Sequence, residues 1–118
     1  GRALIQVITI DDPLFDQYRR GTDFIQRHVF PGGMLPSPAV FRHRAQQAGF
    51  DITDELAFGS HYARTLQLWH EKFCDRLLEV KAQGFDDRFI RLWRFYLAYC
   101  EAGFRAGSIN VHQFTLTA

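Results

Sequence analysis

The sequence has little of several things that would announce a function. Only two cysteines, Cys74 and Cys100, occur in 118 residues. They stand in no CxxC spacing and beside no histidine pair, which argues against a structural zinc site. Both fall in apolar helical patterns, so free buried thiols of a reducing cytoplasm are expected in preference to a disulfide. The five histidines, His28, His43, His61, His70 and His112, show no HExxH or other ligand spacing. Neither sign of charge dominates: 14 Lys and Arg stand against 13 Asp and Glu, for a net charge of +1. That balance argues against a strongly electrostatic nucleic-acid binder. No apolar run is long enough to span a bilayer, and no signal-peptide pattern is visible. Internal repeats and low-complexity stretches are also missing.

What is present is apolar and aromatic. Hydrophobic residues make up 47% and aromatic residues 15%, with twelve Phe and two Trp, a composition that packs a core and excludes a disordered chain. Such an aromatic surplus implies a bulky core or an apolar surface shaped to meet something else. Gly1-Arg2 leads without an initiator Met into Ala3–Ile10, ALIQVITI. This aliphatic, β-branched run before Asp11-Asp12-Pro13 predicts a strand buried on both faces, as in a parallel α/β sheet. A natural domain seldom starts so close to a buried strand, and the expectation is a cut inside a larger domain.

Residues 13–30 are mixed, with Thr22-Asp23 placed to cap a short helix through His28. Phe30-Pro31-Gly32-Gly33-Met34-Leu35-Pro36-Ser37 must be loop, because Pro and Gly forbid regular pairing. Ser37 then serves as an N-cap with Pro38 at the first helical position, and Gly49 ends a helix over Pro38–Ala48. Phe50–Phe58 reads as an edge-like strand carrying Asp51, Asp54 and Glu55. Tyr62, Leu66, Trp69, Phe73, Leu77 and Val80 recur at helical spacing up to Gly84. Asp86-Asp87 opens a further helix with the stripe Phe89, Leu92/Trp93, Tyr96, Cys100 and Phe104, closed by Gly107-Ser108. Val111–Thr117 alternates apolar and polar residues and predicts a last strand with one wetter face. The order β-α-β-α-α-β matches the second half of a class I (Rossmann-like) methyltransferase sheet, an α/β architecture whose last strand returns antiparallel between the two before it. As an analogy of fold it does not give function.

Four stretches carry a closer likeness. They are Leu4–Ile10; Asp23-Phe24-Ile25 with the FPGGMLPS loop; His61-Tyr62-Ala63-Arg64-Thr65-Leu66 with Trp69; and Tyr96–Arg105, YLAYCEAGFR, followed by Gln113-Phe114-Thr115-Leu116. Together, and in this order, they resemble the cyclopropane-fatty-acid synthase family, which includes the mycolic-acid methyltransferases and plant cyclopropane synthases. The resemblance covers almost the whole chain and identifies residues 1–118 as the C-terminal portion of an S-adenosylmethionine-dependent methyltransferase domain. It implies methyl transfer to the cis double bond of an unsaturated, phospholipid-bound acyl chain. A carbocation follows, and loss of a proton to a bound bicarbonate closes a cyclopropane ring. Methyl or methylene branching is the nearest variant. It also implies a cytoplasmic enzyme peripheral to the inner face of the membrane, with no nucleic-acid partner.

Residue by residue, the family's anion-binding Tyr falls on Tyr62. Its His position on the first strand falls on Gln6, whose amide donates to an anion but does not titrate. The family's anion-binding Glu and its glycine-rich cofactor loop match nothing in this chain, so a complete active site is not expected within it. Ile8, His61, Leu66, Trp69, Tyr96, Cys100 and Phe104 are the expected acyl-contacting positions. On pattern alone, Tyr62 reads as a boundary tyrosine, Gln6 as a satisfied sheet residue, and the aromatic stripe as core. Cys100 has no adjacent base or cation to activate it as a nucleophile. Arg19-Arg20 and Arg42/Arg44 read as solvated charge. The rival from another class is a non-catalytic α+β module that binds apolar ligands or itself. An uncovered edge of the first strand predicts that the isolated chain dimerises or swaps strands.

Overall fold

The computed structural model describes residues 1–21, 23–31 and 33–118; the Thr22 cap and the Gly32 loop position lie outside the described residues. Three strands form one sheet: β1 (Arg2–Ile10), β2 (Asp51–Ala57) and β3 (Ile109–Thr117). The order is β1-β3-β2, and β3 runs antiparallel to both neighbours. This is the returning last strand that the element order predicts. Among the described residues six α-helices accompany the sheet: α1 (Phe15–Arg20), α2 (Phe24–His28), α3 (Pro38–Gln47), α4 (Gly59–Asp75), α5 (Leu77–Ala82) and α6 (Asp87–Ala106).

Local chemistry sets most boundaries. Ser37 Oγ accepts from the Val40 amide at 3.1 Å with Pro38 behind it, so α3 starts where expected. Asp23 and Gln26 form a reciprocal capping box at α2, and Gln26 Nε2 donates to the Gly33 carbonyl at 2.8 Å, tying the loop down. Asp86 Oδ1 accepts from the Phe89 amide at 2.9 Å to open α6. Gly107 closes α6 at φ 78°, a left-handed cap that glycine adopts without steric cost.

The sheet is covered differently on its two faces. On one, α3 packs Ala45 and Phe41 over Phe114 and Leu116, with the Phe41 and Phe114 rings stacked at 4.2 Å. On the other, α4 and α6 bury Ala63, Leu66, Leu97, Cys100 and Phe104 around Val111 of β3. Alternation along β1 places Ile8 on the α4/α6 side and Thr9 on the α3 side.

Two expectations are corrected and one holds. β1 is not buried on both faces: only Thr9 and Ile10 are buried, and Leu4 is 64% exposed. It pairs on one side only, and the helical layer reaches it only at its C-terminal end. β3 is wetter on one face, as expected: His112, Phe114 and Leu116 are buried toward α3, while Gln113, Thr115 and Thr117 are only half-buried. It is the central strand, its polar His112 is buried against Thr9, and Gln113 Nε2 donates to Gln6 Oε1 at 3.0 Å. The helix predicted from Tyr62 to Val80 starts at Gly59 and breaks at Arg76 (φ −121°, ψ 28°), so two helices occupy the segment. The short helix Phe15–Arg20 lies where the sequence shows only a mixed pattern.

Candidate functional site

The site is built on the two long helices. Phe104 of α6 lies beside Tyr62 near the start of α4, with ring centroids 5.2 Å apart. Trp69 lies two turns further along α4, edge-on to Tyr62 at 6.0 Å. Side chains of α4, α5 and α6 and of Ile8 line a cavity of about 640 Å³. Ile8 of β1 and Tyr62 line one end. Arg76, Gln83 and Phe85, around α5 and the start of α6, line the other. From Tyr62 to Arg76 the cavity follows α4 for about 20 Å at the helical rise per residue. Its wall is mainly apolar and aromatic, a surface that suits an apolar ligand better than water.

The start of α4 is fixed from β3. No side chain caps the helix at Phe58, and the Gly59 amide donates to Asn110 Oδ1 at 2.7 Å. The same oxygen accepts from the Val111 amide at 2.9 Å. A Cβ at residue 59 would collide with the Asn110 side chain and lie 3.1 Å from its Cα. Glycine therefore permits the close approach that places Tyr62, one turn later, over the sheet.

An aromatic ladder runs along α6. Phe85 stacks on Phe89 at 4.5 Å, Phe89 on Trp93 at 5.8 Å, and Trp93 meets Tyr96 at 4.7 Å. Burial pushes the Tyr96 phenol up to about 12, with Cys100 and Tyr62 adding to the shift. Burial likewise pushes the Cys100 thiol up to about 11, the Tyr96 hydroxyl working against it. Both groups are neutral near pH 7. The wall they form suits an uncharged chain, and Cys100 is not an activated nucleophile.

Of the residues singled out from the sequence, Ile8, Tyr62, Leu66, Trp69, Tyr96, Cys100 and Phe104 meet in this one cavity. Gln6 does not line it. It sits on the same strand face as Ile8 and pairs with Gln113 in an exposed contact. His61 is exposed on the first turn of α4 and is also off the wall. Lys72, Arg76, Glu79 and Phe85 belong to the wall without having been foreseen. Their signal was present in part: Trp69, Lys72/Phe73, Arg76, Val80 and Gln83 continue one stripe at spacings of three and four. Among the described residues no cluster of His, Cys, Asp and Glu is placed to hold a metal ion. No described helix is long and apolar enough to cross a membrane.

Comparison with known proteins agrees with this fold. Residues 1–114 match the family model described as mycolic acid cyclopropane synthetase. The tuberculostearic acid methyltransferase of Mycobacterium tuberculosis is 43% identical over 98% of this chain, which spans 27% of that protein. Cyclopropane mycolic acid synthase 3 of the same species is 38% identical over 80% of this chain, covering 33% of its own length. The crystal structure of the mycolic acid cyclopropane synthase CmaA1 complexed with SAH and CTAB superposes on the whole chain with a TM-score of 0.88 at 30% identity, over 44% of that structure. The chain thus spans less than half the length of the proteins it matches, and it lies in their C-terminal part. On the extent of the family match and the agreement of fold, the chain belongs to the mycolic acid cyclopropane synthetase family.

Proposed function

We propose that these residues form the acyl-binding, C-terminal part of an S-adenosylmethionine-dependent methyltransferase that acts on the double bond of unsaturated fatty acyl chains carried by phospholipid. The observation that carries the reading is the elongated apolar cavity between α4 and α6, with Tyr62 at one end and aromatic faces along its length. No described strand leads through a glycine-rich turn into a helix; β1 runs instead into Asp11 and a 3-10 turn at Asp12–Leu14. These residues therefore do not make a nucleotide cradle, and in this reading the cofactor is held by residues outside the 118. When bound, it supplies an electrophilic methyl group.

The role of this chain is then to hold the alkene and protect what forms on it. Methylation leaves a positive charge on the acyl chain. The faces of Tyr62, Trp69 and Phe104 stabilise such a charge, while the apolar wall excludes the water that would quench it. Loss of a proton to a base then closes the cyclopropane ring. Bicarbonate is the proposed base, with the Tyr62 hydroxyl as a donor that orients it. Gln6 is kept as an anion-contacting position on the strand face it shares with Ile8. Charging the cavity at neutral pH is not required of Tyr96 or Cys100, whose raised values keep them uncharged.

A second reading is methyl branching without ring closure. It is favoured by the 43% identity to a protein named as a tuberculostearic acid methyltransferase. The test is incubation of the complete protein carrying this chain with methyl-labelled S-adenosylmethionine and vesicles of unsaturated phospholipid, followed by analysis of the fatty acids. Label in a cyclopropane ring is the expected result, and label in a branched chain selects the second reading. Label in no lipid, from a folded protein that binds the cofactor, removes the acyl acceptor altogether. Peripheral contact with the cytoplasmic face of the membrane belongs to the same proposal and is read by co-sedimentation with those vesicles.

A further inference from the structure

The cavity is apolar along its length but not at its α5 end. Lys72, Arg76 and Glu79 stand there, two cations against one carboxylate. Lys72 enters no ion pair among the described residues. Arg76 approaches Glu79 only at 3.7 Å, with both side chains more than half exposed, a contact that leaves most of the guanidinium donors open. Tyr62, at the other end, is about 20 Å away along α4. A ligand that fits this arrangement has a long apolar body and one anionic end.

Resting on the acyl-chain reading above, we infer that Lys72 and Arg76 form a head-group site that anchors the anionic, phosphate-bearing end of the acyl substrate at the mouth of the cavity. They are positioning residues. Anchored there, the chain runs inward past Trp69 and Trp93, and the fixed distance to Tyr62 selects a carbon well inside the chain. Phosphate chemistry suits the pair because a guanidinium fork and an ammonium supply several donors to one dianion. The same chemistry would serve free phosphate, which lacks the apolar body that the rest of the wall requires.

The chain carries its own reporter, since both of its tryptophans, Trp69 and Trp93, line the cavity. Tryptophan fluorescence of the complete protein is titrated with oleyl phosphate, with oleyl alcohol and with inorganic phosphate, for the wild type and for Lys72→Gln/Arg76→Gln. The wild type is expected to bind oleyl phosphate roughly tenfold more tightly than oleyl alcohol, the scale of one or two charge-assisted contacts. The double variant is expected to lose that preference and keep its affinity for oleyl alcohol, which also reports that it is folded. Inorganic phosphate in large excess is expected to leave oleyl phosphate bound.

Equal affinity of the wild type for the two oleyl ligands overturns the head-group site and leaves the acyl-chain reading standing. So does a preference that survives in the variant. Displacement of oleyl phosphate by inorganic phosphate makes the pair a plain anion site and overturns the anchoring role. Failure of oleyl alcohol itself to bind the wild type sinks the acyl-chain reading and this inference with it.

Discussion

Replacing Gly59 by Ala tests the junction that places Tyr62. In an exposed helix interior the change would stabilise by about 1 kcal/mol, because alanine is the better helix former. At residue 59 the added methyl meets the Asn110 side chain and lies 3.1 Å from the Asn110 Cα. The strand must move or the helix must tilt, and either breaks the 2.7 Å bond from the Gly59 amide to Asn110 Oδ1. Overpacking of this kind costs about 1–3 kcal/mol, and the lost bond at a helix start about 1 kcal/mol more. Set against the propensity gain, the net is a destabilisation of about 1–3 kcal/mol. Urea unfolding followed by tryptophan fluorescence reads it as a lower midpoint at an unchanged slope. Trimming the obstacle with Asn110→Ala in the Gly59→Ala background recovers part of the clash, so the double variant loses less than the sum of the two single changes. A Gly59→Ala variant as stable as the wild type, or more so, would show that the α4–β3 contact has slack and would refute the reasoning.

Three further outcomes follow from the same packing. Phe114→Ala removes a ring that is 0% exposed and stacked on Phe41; the expected loss is about 3–5 kcal/mol, and a loss under about 1 kcal/mol in denaturant unfolding would mean that the α3 layer is loosely packed. His112 has its pKa lowered, first by burial and then by Arg42, with Glu55 and Asp12 opposing. The folded state thus binds fewer protons than the unfolded state below about pH 6.5. Stability is full above that value and falls as pH drops toward the lowered folded pKa. Unfolding midpoints at pH 7.5 and 5.5 read the slope, and His112→Asn should flatten it. An iodoacetamide time course on the folded protein at pH 8 should modify half-buried Cys74 and spare buried Cys100, whose thiol stands near 11; equal labelling, read by mass spectrometry of the peptides, would contradict the burial assigned to Cys100.

Much of this architecture was legible because local chemistry and global fold agree. The Ser37-Pro38 start of α3, the Asp86 cap of α6 and the glycines at its end and at the end of α3 are each read from a few residues, and each holds. The strand at Asp51–Ala57 was readable as an edge from its acids. Burial was not readable where it depends on partners distant in sequence. The ALIQVITI run carries the composition of a strand with two covered faces, yet only Thr9 and Ile10 are buried, with Val7 partly covered by the α3 cluster. The VHQFTLT alternation gives the wetter face but not the partners of its polar residues: Thr9 takes up the His112 ring nitrogen at 2.8 Å and Gln6 takes up Gln113. Those polar residues are satisfied by partners more than a hundred positions away, which no window of sequence contains.

The cavity shows the same limit from the other side. A stripe of large side chains at helical spacing reads as core, and Leu66, Leu97, Cys100 and Phe104 do pack as core around Val111. They also line the cavity, because one side of each touches a neighbour while the other faces open space. Whether a stripe closes or leaves room depends on what holds the helices apart. Here Tyr62 and Phe104 meet edge to face at one end, and the Phe85–Phe89–Trp93 stack runs along α6 toward the other. Shortening that stack at Phe89 would remove the ring on which the cavity-lining Phe85 and Trp93 both stack. For the same reason, a core mutation on this stripe acts on stability and on binding at once, and the two effects separate only when the unfolding midpoint and the oleyl-alcohol titration are measured on the same variant.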